Sequence, residues 1–170
     1  MSSLEDQIGV GIIGCGKISQ AYFDGAKTFQ VLNIVACADL NEAAAQAKAE
    51  ENDCEALSIT KLLAHTEIQL VINLTTPAAH AAVTRDILKA GKHAYCEKPL
   101  TVEVEDAREL LVLAKSKGLL IGCAPDTFFG AGIQTCREIV DSGEVGIITS
   151  GTAFMLSAGP ESWHPNPGFY

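Results

Sequence analysis

The chain has 170 residues, enough for one domain with a sizeable core, or for one domain and part of a second. Hydrophobic residues make up 48% and charged residues 19%, which is typical of a globular chain and excludes a disordered one. The formal net charge is −9 and no cluster of Lys and Arg is present, so the composition argues against binding to nucleic acid or to an anionic membrane surface.

Apolar runs alternate with helix-period segments along the first three quarters of the chain. The predicted strands, the third of them weak, cover residues 8–13, 31–38, 55–58, 70–74, 92–96 and 119–123. The predicted helices between them cover residues 17–28, 42–51, 60–64, 78–90 and 102–117. Because strands and helices alternate with short loops, the strands should be parallel and joined by right-handed crossovers. The sequence therefore predicts an α/β fold with a doubly wound parallel sheet of Rossmann type.

Residues typical of helix ends mark several of these boundaries. Asn41 and Thr101 precede helical segments, and we predict that both are N-caps. Pro77 occupies the first position of a helix, while Gly91 and Gly118 stand where helices should end.

The pattern changes after the last of these strands. Residues 124–129 are predicted to form a linker, residues 130–142 a helix, and residues 145–156 a long strand. A long strand with no partner in the remaining sequence is an unprotected edge. We therefore expect a dinucleotide-binding domain over residues 1–124 and the incomplete beginning of a second, α+β domain over residues 125–170.

The strongest functional motif is Gly14-Cys15-Gly16, which follows the first strand and opens the first helix. Gly14 permits a tight turn, and Gly16 lets the main chain approach a pyrophosphate without a Cβ in the way. The free N–H groups of the helix that starts near Lys17 and Ile18 favour an anion. We therefore predict that Gly14, Gly16, Lys17 and Ile18 bind a dinucleotide; the alternative is a plain tight turn.

Asp39 ends the second strand, 23 residues after Gly16, close to the spacing of roughly 20 expected for a ribose-binding carboxylate. A carboxylate there accepts hydrogen bonds from the adenosine ribose and repels a 2′-phosphate. No Arg stands directly beside Asp39, so we predict NAD as the cofactor in preference to NADP. The alternative is an Asp that only caps the next helix.

Two further segments follow the fourth and fifth predicted strands, where loops line the cofactor crevice of such sheets. Thr75-Thr76-Pro77 should contact the ribose or the pyrophosphate. His80 lies one helical turn further and could face the same crevice, although a lone helical histidine is more often structural.

Glu97-Lys98-Pro99 follows the fifth strand. A lysine in a partly buried crevice can lose its proton readily and then exchange protons with a hydroxyl that is being oxidised. Glu97 could pair with it. From the residues alone, a solvated Glu–Lys pair is an equally good interpretation.

Together these motifs resemble the Gfo/Idh/MocA family of oxidoreductases. The resemblance extends over residues 8–150 and rests on Val10-Gly11-Ile12-Ile13-Gly14-Cys15-Gly16-Lys17-Ile18, Asp39, Thr76-Pro77-Ala78-Ala79-His80, Ala90-Gly91-Lys92-His93 and Glu97-Lys98-Pro99-Leu100.

The resemblance implies that Lys98 lies beside the nicotinamide and polarises the reacting alcohol or carbonyl of a small-molecule substrate. It also implies that Glu97 and Lys98 contact the cofactor, and that the Lys98–Pro99 peptide bond is cis. Members of the family are about twice as long, and their second domain carries an Asp/His pair for proton transfer. The same domain pairs subunits, so we expect a homo-oligomer for the longer protein.

Three functions fit these observations. The first is an NAD(P)-dependent dehydrogenase or reductase of a sugar, a polyol or a related small hydroxy or carbonyl compound. The second is a non-catalytic dinucleotide-binding module or regulatory subunit, which would apply if the chain truly ends at Tyr170. The third is a reductase of a non-sugar substrate.

Six cysteines show no spacing typical of a metal site, and several lie in apolar runs. We therefore expect no metal and predict free thiols in a reducing compartment. Residues 1–7 lack the basic and apolar parts of a secretory signal, and no apolar run approaches the ~20 residues of a membrane span. The expected location is the cytoplasm.

Overall fold

The computed structural model describes residues 7–159. The chain divides into two compact units, Met1–Asp126 and Thr127–Tyr170. The end of the second unit, including the last eleven residues of the predicted second domain, lies outside the described residues.

A six-stranded sheet forms the centre of the first unit. Its strands are β1 (Ile8–Ile13), β2 (Leu32–Ala38), β3 (Glu55–Ala56), β4 (Leu70–Asn73), β5 (His93–Cys96) and β6 (Ile121–Cys123). Their spatial order is β3-β2-β1-β4-β5-β6, and every neighbouring pair is parallel. This order reverses direction between β1 and β4, which is the Rossmann arrangement, so the predicted doubly wound sheet is confirmed.

Five helices connect the strands, namely α1 (Ser19–Ala26), α2 (Glu42–Asn52), α3 (Ile59–Ala64), α4 (Pro77–Lys89) and α5 (Val104–Ser116). The core has one cluster on each face of the sheet because successive strand residues point to opposite faces. Val10 and Ile12 of β1 pack with Phe23 of α1 in one cluster. Ile13 packs with residues of α3, α4 and α5 in the other, including Leu62, Ile87, Leu88 and Leu110.

Most predicted helix ends are confirmed. The Asn41 side chain caps α2 by accepting a hydrogen bond from the Ala44 amide at 3.3 Å. Gly91 and Gly118 follow α4 and α5 with φ angles of 78° and 65°, a left-handed conformation that glycine adopts at little cost.

Two predicted helix starts are wrong. The first helix begins at Ser19 and not at residue 17, and residues 16–18 belong to the loop after β1. Thr101 is not an N-cap, because α5 begins at Val104 and the Thr101 hydroxyl donates to the Glu103 carbonyl at 2.7 Å. A hydroxyl that donates to a carbonyl in this way holds the preceding loop and caps no helical amide.

In the second unit, a 3-10 turn (Thr127–Phe129) precedes helix α6 (Ala131–Asp141). The predicted helix at 130–142 is thereby confirmed. The predicted strand at 145–156 is wrong, because these described residues form turns and irregular backbone. A β-rich composition yields a strand only when a neighbouring strand takes up its hydrogen bonds, and the described part of this unit supplies none.

Candidate cofactor-binding and active site

Four strands of the sheet end level with one another. Ile13 of β1 pairs with Ala38 of β2 and with Asn73 of β4, and Asn73 in turn pairs with Cys96 of β5. The loops that follow these strands therefore start side by side at the carboxyl edge of the sheet. All the residues singled out from the sequence lie in or next to these loops.

The glycine loop occupies the middle of this edge. Gly14 has a φ angle of 104°, and its amide donates to the Ala38 carbonyl at 2.8 Å. A Cβ on Gly14 would lie 2.6 Å from the Leu74 carbonyl carbon, so the loop must have glycine there to pass the end of β4. A Cβ on Gly16 would meet no atom within 4 Å, so this position faces open space. Lys17 and Ile18, the next two residues of the loop, are also exposed.

Asp39 holds the glycine loop in place. One carboxylate oxygen accepts a hydrogen bond from the Cys15 amide at 2.7 Å, and the other accepts one from the Asn41 amide at 2.8 Å. The N-cap of α2 is Asn41, so the interpretation of Asp39 as a mere helix cap is not needed. Each oxygen keeps a further lone pair, which leaves the carboxylate able to accept ribose hydroxyls.

A cleft of about 600 Å³ opens beside Asp39. Its lining residues come from the end of β2, from α2 and from the segment between β3 and α3; they are Asp39, Leu40, Glu42, Ala45, Gln46, Ala56, Leu57, Ser58, Ile59, Thr60 and Lys61. Sequence reasoning missed Lys61, because the residue lies 22 positions after Asp39 and carries no motif of its own.

Asn73 is fully buried at the end of β4 and organises the next loop. Its side-chain amide donates to the His80 carbonyl at 3.2 Å and to the Thr84 hydroxyl at 3.1 Å. Its side-chain oxygen accepts from the Thr75 amide at 3.2 Å and from the Thr75 hydroxyl at 2.6 Å. The Thr75 hydroxyl is therefore already engaged, whereas Thr76 is exposed at the crevice. An amide at the end of an otherwise apolar strand was the signal that could have revealed this network.

Pro77 is the first residue of α4, as its fixed φ angle favours. His80, three residues later, is buried, which corrects the expectation that it could face the crevice. Only 1% of its surface is exposed, and its ring nitrogens lie 2.5 Å from the Pro99 carbonyl oxygen and 2.9 Å from the Thr75 carbonyl oxygen. The side chain points inward because this face of α4 packs on the sheet. His80 thus joins the loop after β4 to the loop after β5.

Glu97 begins the loop after β5 and is held on three sides. Its amide donates to the Asn73 carbonyl at 2.9 Å. One carboxylate oxygen accepts from the Tyr22 hydroxyl at 2.9 Å, and the other accepts from the Lys98 amide at 2.8 Å. Burial and the neighbouring Glu97 carboxylate raise the pKa of Tyr22 well above its usual value. No sequence motif marks Tyr22, which lies 75 positions before Glu97.

Lys98 is exposed, and its peptide bond to Pro99 is cis, as the family resemblance implied. The partly buried position expected of this lysine is not observed in the described residues, where Lys98 is exposed. No ion pair joins Lys98 to Glu97, whose carboxylate is occupied by Tyr22 and by the Lys98 amide.

Residues 7–159 contain neither a metal site nor a membrane-spanning helix. No group of three His, Cys, Asp or Glu side chains in that range is arranged to hold a metal ion. All six cysteines are free thiols, and burial raises the pKa of Cys96 to about 12. None of the helices in the same range is long and apolar enough to span a bilayer.

Residues 8–124 match a family model described as an oxidoreductase family with an NAD-binding Rossmann fold. An uncharacterised oxidoreductase of Schizosaccharomyces pombe is 32% identical over 144 residues, covering 79% of this chain and 39% of that protein. An inositol 2-dehydrogenase of Rhizobium meliloti is 30% identical, covering 80% of this chain and 41% of that protein.

Solved structures give the same result. A 3-ketoreductase from Actinomadura kijaniata, in complex with NADP and TDP-benzene, superposes with a TM-score of 0.76 at 25% identity. The superposition covers 81% of this chain and 43% of that one. The chain thus spans about two fifths of the length of the relatives that it matches.

Proposed function

Because the chain belongs to the Gfo/Idh/MocA family of oxidoreductases, with its NAD-binding Rossmann domain at residues 8–124, we propose that it provides the cofactor half of a dehydrogenase or reductase. The reaction would transfer a hydride between a nicotinamide cofactor and a sugar, a polyol or a related small hydroxy or carbonyl compound. The observation that carries the proposal is the level ending of four parallel strands, which brings the glycine loop, Asp39 and Glu97-Lys98 to one edge.

The glycine loop and Asp39 supply the adenosine and pyrophosphate end of the proposed site. The open side of Gly16 leaves room for a pyrophosphate against the main chain, next to the first amides of α1. Asp39 would accept the hydroxyls of the adenosine ribose, and its negative charge would repel the 2′-phosphate of NADP. We therefore propose NAD as the preferred cofactor. Lys61 lines the same cleft, and its positive charge could weaken the preference for NAD over NADP.

The loop after β5 supplies the reacting end. NAD, when bound, provides the hydride acceptor at its nicotinamide ring. Glu97 would bind and orient that half of the cofactor, since its carboxylate is fixed by two hydrogen bonds and retains free lone pairs. The exposed Lys98 would donate a hydrogen bond to the substrate oxygen and so stabilise the negative charge that develops there.

The substrate class rests on relatives that include an inositol dehydrogenase and a sugar-nucleotide reductase. We propose that the remaining acid–base group and most substrate contacts come from a second domain, through which the longer protein also forms a homo-oligomer. Free thiols, several of them buried, support a reducing compartment such as the cytoplasm.

Cofactor titration tests the proposal. The chain is titrated with NADH and with NADPH, and the cofactor fluorescence is recorded; we expect NADH to bind more tightly. A panel of inositols, sugars and non-sugar alcohols, followed by NADH absorbance, then examines the substrate class in the longer protein. Failure of both cofactors to bind would overturn the proposed function.

A further inference from the structure

Tyr22 lies on α1, the helix that leaves the glycine loop, and its ring packs half-buried against the core cluster on that face of the sheet. Its hydroxyl donates a hydrogen bond of 2.9 Å to the carboxylate of Glu97. Glu97 follows β5, which lies beyond β4 from β1 in the strand order. The hydroxyl is the donor of this hydrogen bond, and burial and the carboxylate raise the pKa of Tyr22 further above neutral pH. The proposed function relies on a fixed Glu97 carboxylate but assigns no role to Tyr22 itself.

The hydrogen bond between Tyr22 and Glu97 joins helix α1 to the loop after β5. In the described part of the chain, the Glu97 carboxylate accepts hydrogen bonds from the adjacent Lys98 amide and from Tyr22, and only Tyr22 belongs to another helix or strand. The Lys98 bond is local and moves with the loop. The Tyr22 bond is therefore the one that fixes the carboxylate relative to the glycine-loop helix.

We propose that Tyr22 is a positioning residue for the nicotinamide half of the cofactor. By donating to Glu97, it presets the direction of the carboxylate and couples the helix at the pyrophosphate to the loop that carries Lys98. A preset side chain loses less conformational entropy when the cofactor binds, so the hydrogen bond favours binding. The inference rests on the proposed function, because it assigns a role within the same dinucleotide site.

The geometry of the sheet separates this role from a general effect on the fold. Asp39 follows β2 and Glu97 follows β5, with β1 and β4 between them. Neighbouring strands are about 4.8 Å apart, so the two carboxylates mark sites roughly 14 Å from each other. ADP would fill the Asp39 end alone, whereas NADH would reach both ends. Loss of the Tyr22 hydroxyl should therefore weaken NADH binding and leave ADP binding unchanged.

The experiment compares Tyr22→Phe with the control Tyr95→Phe in the full 170-residue chain. Tyr95 packs against the same core cluster, but its hydroxyl makes no hydrogen bond in the described structure, so its removal should change neither affinity. For Tyr22→Phe we expect NADH binding to weaken about 3- to 10-fold, as suits the freeing of one side chain, with ADP affinity unchanged. In a Glu97→Ala background the same substitution should have no further effect.

The outcomes distinguish the inference from the function on which it rests. If the wild-type chain binds neither NADH nor ADP, the proposed function fails, and the inference fails with it. If the wild type binds NADH and Tyr22→Phe binds it equally well, only the role of Tyr22 is overturned. An equal loss of ADP and NADH affinity, or a full effect in the Glu97→Ala background, would show a structural role and would also overturn the inference.

Discussion

Substitution of Gly14 by alanine and substitution of Gly16 by alanine should affect different properties of the protein, stability in the first case and cofactor binding in the second, although the two residues are separated by one position. Gly14 packs against the protein, whereas Gly16 faces the space proposed for the pyrophosphate. We predict that Gly14→Ala destabilises the fold, and that Gly16→Ala preserves the fold but impairs cofactor binding.

The size of the first effect follows from the backbone at Gly14. Its φ angle of 104° is unfavourable for any residue with a Cβ, at a cost of about 1–2 kcal/mol. The new methyl group would also lie 2.6 Å from the Leu74 carbonyl carbon and 2.9 Å from the Thr75 amide nitrogen. Because both are main-chain atoms, the end of β4 must move, at a further cost of about 1–3 kcal/mol. The total is about 2–5 kcal/mol of unfolding free energy, a large part of the stability of most domains.

Gly16→Ala lacks both penalties. The position is not in the positive-φ region, and the methyl group would meet no atom within 4 Å. Its stability should stay within about 0.5 kcal/mol of the wild type. Its affinity for NADH should fall at least about tenfold, because the methyl group takes up space that the pyrophosphate needs.

Urea unfolding followed by circular dichroism measures the stability of both variants, and NADH titration measures affinity. Wild-type NADH affinity in Gly16→Ala would refute the placement of the pyrophosphate. Wild-type stability in Gly14→Ala would refute the steric argument.

Four other substitutions probe the rest of the site. Asp39→Ala should weaken NADH binding and reduce discrimination against NADPH, and the positive charge of Lys61 in the same cleft would add to this loss of discrimination. An unchanged preference in titrations would mean that Asp39 only holds the glycine loop. His80→Ala should lower the unfolding free energy by about 3 kcal/mol, since it empties a buried site and removes the ring that packs between two loop carbonyls; equal urea midpoints would contradict this. Burial raises the pKa of Cys96 from 9.0 to about 12, so the folded thiol stays protonated while the unfolded thiol ionises. The stability from this group is complete below pH 9.0 and is lost as pH rises towards 12, so Cys96→Ala should show a shallower loss in urea unfolding over that interval. Lys98→Ala in the longer enzyme should lower kcat more than NAD affinity, and full turnover in steady-state assays would make the lysine structural.

The sheet was predictable because its signals are local. Continuous apolar runs such as residues 70–74 are expected of strands covered on both faces, and glycines and caps mark the intervening helices. In a parallel sheet the residues after each strand gather at one edge. The sequence positions of Gly14, Asp39 and Glu97 therefore already implied one shared edge of the sheet. The pairing of Ile13 with Ala38 and Asn73, and of Asn73 with Cys96, shows that their strands end level there.

The contacts between side chains were not predictable in the same way. The orientation of His80 depends on which face of α4 packs on the sheet, and a motif match does not determine this. The hydrogen bond between Tyr22 and Glu97 joins residues 75 positions apart, and no spacing rule connects them. The strand predicted at 145–156 failed for a related reason, since β-propensity is expressed only against a neighbouring strand.

An NMR titration of the chain with NAD would locate the bound cofactor on the sheet. The backbone amide signals are recorded as the cofactor is added, and the residues that shift are mapped onto the sheet. We predict that the affected amides belong to the loops after β1, β2, β4 and β5, with Gly16, Asp39 and Glu97 among them. Shifts confined to the opposite edge of the sheet, or no shifts at saturating NAD, would contradict the account.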